Sequence, residues 1–145
     1  MKVKSALCCS LMLFSISAFA EFRPAGNEVE SISEAIRDGY QVQRNLAFQY
    51  REGRGKGVNY LPKDRVKACA WRKILLIANP DKINDLDADS ERSDCGGLEV
   101  AQDYQVWLLV HQYLPAIEKM KQEGKYMLPK PDAPISAEPI IVDVE

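Results

Sequence analysis

The sequence predicts an all-α fold, and three observations carry that prediction. Three stretches place apolar residues at helical intervals, no stretch alternates apolar and polar residues over a useful length, and the 145 residues include no threonine. The consistent architecture is an antiparallel helical hairpin with flanking helices around one core. With 46% hydrophobic and 28% charged residues the chain suits a single soluble globular domain. A formal net charge of -2 supplies no basic field for nucleic acid.

Residues 1–20 read as a signal peptide. Lys2 and Lys4 form a short basic start, Ala6 to Ile16 an apolar run, and Ala18-Phe19-Ala20 a small-residue cleavage pattern. The run is shorter than the ~20 residues of a spanning helix. Cleavage after Ala20 predicts a periplasmic protein, or a secreted one, with no membrane span. It also removes two lysines and no acids, so the net charge falls from -2 to -4. Cys8 and Cys9 leave with the leader. Cys69 and Cys95 remain, and an even pair in an exported chain reads as one disulfide.

The mature domain is expected over residues 21–124. Asn27 stands three residues before Glu30, a capping-box spacing. Val29, Ile32, Ile36, Tyr40, Leu46, Ala47 and Tyr50 then follow at helical intervals, and Gly39 leaves open one long helix or two. Gly53, Gly55, Gly57 and Pro62 mark a loop. Asp64 is placed to cap the next helix, which carries Val66, Ala70, Ile74 and Ile77 on one side. Asn79-Pro80 ends it, because a residue before proline is pushed away from helical dihedrals.

A short helix or turn is expected near Leu86 to Asp94, and Gly96-Gly97 is a break. From Leu98 to Gln122 a third helix is expected, with Val100, Tyr104, Trp107, Leu108, Leu114 and Ile117 at helical spacings. Pro115 should kink or end it. Residues 125–145 contain Pro129, Pro131, Pro134 and Pro139 and read as a flexible tail.

The segment from Tyr50 to Trp71 is the most specific pattern. An aromatic near a helix end can pack across a hairpin, and glycines after it permit left-handed turns. Asp64 can satisfy free N–H groups at the following helix start, Ala68 lets helices approach closely, and Trp71 fills the seam.

In Leu46, Tyr50, Gly53, Gly55, Asp64, Lys67, Ala68 and Trp71 the segment 44–78 resembles a Sel1-like repeat, a relative of the tetratricopeptide repeats. It departs from that pattern at Ala47, where a glycine is usual, and in a longer loop over Lys56 to Pro62. One repeat is visible, so the helices at 28–44 and 98–122 would have to cap it. The resemblance implies a binding protein without a catalytic centre, such as an inhibitor, an immunity protein or an adaptor for an envelope enzyme or toxin.

Charge is uneven along the chain. From Arg44 to Lys73 there are nine basic residues against Glu52 and Asp64, and from Asp81 to Asp103 eight acids against Lys82 and Arg92. The two segments can attract each other on folding, or the basic loop can engage an acidic partner protein. Arg51, Arg54, Lys56 and Lys63 are the candidate partner-binding residues.

Other chemistry has little support. The acidic run Asp85 to Glu91 lacks the glycine and glutamate spacing of a calcium loop. Cys69, Cys95 and His111 lack zinc-ligand spacing. No cofactor is called for. A metal-binding carrier is one alternative, and a small cell-wall enzyme using Glu28 with Glu34 or Glu99 with Asp103 is another. Such carboxylate pairs occur on most helices.

Overall fold

The computed structural model describes residues 26–54 and 60–128, and within them the chain is all-helical. α1 is Gly26–Asp38, α2 is Tyr40–Glu52, α3 is Arg65–Ala78, α4 is Asp85–Cys95 and α5 is Val100–Gln122. The expected signal peptide and nearly all of the expected tail lie outside the described residues.

Gly39 decides between one N-terminal helix and two. Its backbone sits at φ 78°, ψ -146°, a conformation that glycine adopts and L side chains avoid. The chain therefore breaks into α1 and α2. The expected cap at Asn27 is not where the helix starts: α1 already begins at Gly26, which puts Asn27 inside its first turn.

α3 begins and ends as its residues dictate. The Asp64 carboxylate accepts from Lys67 N at 3.0 Å. Asn79 closes the helix by donating its N–H to Leu75 O at 3.1 Å, with Pro80 next in the chain. α4 is capped by a reciprocal box, in which Asn84 accepts from Asp87 N and Asp87 accepts from Asn84 N. Pro115 does not end α5, which runs on to Gln122. Proline removes the bond to the carbonyl of His111, but both residues are exposed, so water can serve that carbonyl. Tyr113 and Ile117 on the opposite side keep the helix seated on the core.

α3 is the central helix and packs against α2, α4 and α5. Leu46, Ala47, Tyr50, Ala68, Trp71 and Ile74 are buried together with Val106, Val110 and Ile117. Trp71 stacks on Tyr113, with ring centroids 5.4 Å apart and planes inclined by 18°. Cys69 and Cys95 form the expected disulfide, joining the first half of α3 to the end of α4.

Two faces differ from expectation. Val100, Tyr104, Trp107 and Leu108 of α5 are exposed, and the core side is Val106, Leu109, Val110, Tyr113 and Ile117. Helical spacing alone could not choose, because α5 carries apolar residues on two faces. Val29 and Ile77 are likewise exposed rather than in the core. Residues 125–128, expected to belong to the tail, are held to the helices. Met127 N donates to Arg37 O at 2.9 Å, and Tyr126 inserts between Gln43 and Asn79.

Candidate protein-binding surface

The repeat-signature residues fall into two groups. Leu46, Tyr50, Ala68 and Trp71 are buried at the seam of the hairpin, where they hold α2 against α3. Gly53 (φ 74°), Asp64 and Lys67 organise its turn end. Tyr50 Oη donates to Glu28 Oε1 at 2.6 Å, and Lys67 Nζ approaches the same oxygen at 2.5 Å. Burial and then the Glu28 hydrogen bond push the Tyr50 hydroxyl far above its ordinary value. Glu28, one of the carboxylates considered for catalysis, is thus held in a structural ion pair. Gly55 and Lys56 lie outside the described residues.

A second polar knot lies at the other end of α2. Gln43 donates to Ala35 O and Tyr126 Oη, Asn79 donates to Gln43 Oε1, and Tyr126 Oη donates to Asn79 Oδ1 at 2.7 Å. Burial is the main cause that raises the Tyr126 hydroxyl. A cavity of about 430 Å³ opens beside this knot, between Pro80, Lys121, Tyr126 and Met127. Lys121 Nζ is engaged there by Ala78 O at 2.5 Å and Glu118 at 3.1 Å.

The basic and acidic segments meet inside the fold. Arg72 Nε donates to Asp94 Oδ2 at 2.8 Å, Lys73 Nζ to Glu91 Oε1 at 2.6 Å, and Arg44 Nε stands 3.2 Å from Asp87 Oδ1. Tyr40 Oη donates to Asp87 Oδ2 at 2.7 Å, and that bond raises the Tyr40 hydroxyl above its usual range. The only buried side chains of α4 are Asp87 and Asp94. This helix therefore docks through charge and a disulfide, without buried Leu, Ile, Val or aromatic side chains of its own. Among the described residues Arg72 Nη1 and Asp94 Oδ1 are buried without a protein hydrogen-bond partner, and the oxygen has Arg51 Nη1 at 3.8 Å. The run considered for calcium is this helix, and among the described residues no cluster of His, Cys, Asp or Glu is arranged to hold a metal ion.

The candidate partner-binding residues are divided by the same pairing. Arg51 is partly exposed and paired, with Nε 2.8 Å from Glu52 and Nη1 3.8 Å from Asp94. Arg54 and Lys63 are exposed at the base of the loop between α2 and α3. That base is pinned. Arg54 and Leu61 exchange both backbone hydrogen bonds, at 2.9 and 2.7 Å, Leu61 is buried, and Asp64 N donates to Tyr50 O at 2.7 Å. Residues 55–59 between them are outside the described residues.

Two surface features were missed by sequence reasoning. Tyr60 is half-exposed beside Leu61, where the alternation of an out-facing tyrosine with an in-facing leucine was the available signal. Tyr104, Trp107 and Leu108, expected only at helical spacings, are exposed on α5. His111 is exposed next to Trp107, its ring centroid 6.2 Å away.

Comparison of the chain with family models, with curated proteins and with solved structures finds no match. Among the described residues no helix is long and apolar enough to cross a membrane.

Proposed function

We propose that the chain is an exported, Sel1-like protein-binding module of the periplasm that acts as an inhibitor, immunity protein or adaptor for an envelope enzyme or toxin. The observation that carries this reading is the anchoring of the two ends of the segment between α2 and α3. Its base is held by paired backbone bonds and a buried Leu61, while Arg54, Tyr60 and Lys63 are presented to solvent. Tyrosine and arginine are favoured at interfaces because each buries a large area with little loss of side-chain freedom or with several donors. A fixed base also lowers the ordering cost of binding. The basic character of the presented residues suits an acidic partner surface.

Crosslinked capture from the periplasm, followed by mass spectrometry, tests the reading. The wild-type chain should recover a specific protein, and Arg54→Glu/Lys63→Glu should weaken that complex at least ~10-fold. Equal recovery by the charge-reversed variant removes the loop from the interface. Retention of residues 1–20 on a chain found in the cytoplasm would remove the exported role.

A further inference from the structure

The outer face of α5 carries a second apolar seam, bordered among the described residues by Lys73, whose Nζ lies 5.3 Å from the Trp107 ring centroid. Val100, Tyr104, Trp107 and His111 follow one another at intervals of four, three and four residues, all exposed. That is the spacing by which one helix packs along another. Val100 is 90% exposed, Tyr104 59%, Leu108 44% and Trp107 41%. From Tyr104 to Ile117 the helix has no Asp, Glu, Lys or Arg, although much of this stretch faces solvent. Charged residues are depleted at the centres of protein interfaces, whereas solvated helix faces carry them.

We propose that this seam is the contact between two copies of the chain, with the α5 helices crossing antiparallel about a two-fold axis. The spacing is self-complementary. A two-fold between Tyr104 and Trp107 sets Tyr104 of each copy against Trp107 of the other, and Val100 against His111. Such an isologous arrangement asks for one patch that fits itself; the stripe's own side chains carry no formal charge, and the charges that border it, Lys73 over Trp107 and the exposed Asp103, are of opposite sign.

The area agrees with this occupant. Val100, Tyr104, Trp107 and Leu108 offer on the order of 450 Å² per copy, so the paired contact with its rim reaches the ~1,000 Å² of a specific interface. That lies at the small end of the range, so association is reversible and concentration-dependent. The cationic loop of the proposed function lies elsewhere, between α2 and α3, so a pair would present two such loops.

Sedimentation velocity on the full chain, from about 1 to about 300 µM, reads the association directly. The expected result is a mass that rises from one copy to two across that range. Tyr104→Lys/Leu108→Lys, at exposed positions, should weaken the association at least ~10-fold while the far-ultraviolet spectrum is unchanged. Phe48→Lys, at an equally exposed apolar residue of α2, should leave it as it was. A one-copy mass throughout overturns the proposal. So does a dimer that survives the α5 substitutions, or one that Phe48→Lys abolishes.

Discussion

Truncating Asp94 to alanine should destabilise the protein by about 3–5 kcal/mol, because it leaves a buried guanidinium without its counter-charge. The side chains of Arg72 and Asp94 are 4% and 1% exposed, and Arg72 Nε donates to Asp94 Oδ2 at 2.8 Å, so solvent screens the pair little. The pair is also incompletely satisfied among the described residues: Arg72 Nη1 has no protein hydrogen-bond partner, and Asp94 Oδ1 has only Arg51 Nη1 at 3.8 Å. Each such group costs about 1–3 kcal/mol of desolvation. Replacing both partners, as Arg72→Met/Asp94→Leu, removes those costs together with the attraction. The double variant should therefore lie within about 1 kcal/mol of wild type or above it. Urea unfolding with the disulfide intact measures both. For a slope of about 1–3 kcal/mol per M, the single variant should lose 1 M or more at the midpoint. A loss under about 1 kcal/mol for Asp94→Ala would refute the assignment of α4 docking to this pair. A double variant as damaged as the single would refute the desolvation argument.

Three further outcomes are expected. Reducing Cys69–Cys95, which are 26 residues apart, should cost about 3.5 kcal/mol in the chain-entropy model, read as a lower urea midpoint in reductant. Gly39→Ala should cost about 1–3 kcal/mol from its φ of 78°, with a further cost if Met127 cannot move away from the new methyl group. Tyr50, Tyr113 and Tyr126 are raised chiefly by burial, and Tyr40 by its bond to Asp87. The folded state then keeps protons that the unfolded chain gives up above about pH 10, so stability falls as pH rises past that point. Absorbance at 295 nm should show a late tyrosinate phase coincident with loss of helix, and full ionisation in the intact fold would contradict it.

How much of this was legible in the sequence depended on whether a local signal had one physical solution. Asp64 before α3 and Asn79-Pro80 after it each had one, and both boundaries follow them. Gly39 did not, because a glycine within a helical pattern is tolerated or breaks it, depending on its backbone conformation. The faces of α5 were ambiguous for a different reason. The positions 100, 104, 107 and 111 and the positions 106, 110, 113 and 117 have the same spacing, and only the partner helices choose between them. The Tyr50–Glu28–Lys67 contact joins three helices. No spacing rule within one helix contains it.

The charge partition is where structure changes the functional argument most. A basic hairpin followed by an acidic stretch invites a reading in which the hairpin seeks an acidic partner. Arg44, Arg51, Arg72 and Lys73 already have such a partner in α4. α4 has almost no apolar surface to bury, so those pairings and the disulfide are what dock it. Their charge is committed to the fold, and reversing any of them would test stability before binding. Arg54 and Lys63 are outside that set of pairs, and they flank a loop base that backbone bonds keep in place. A partner-binding test is therefore informative at those residues, where a loss of affinity can be separated from a loss of fold.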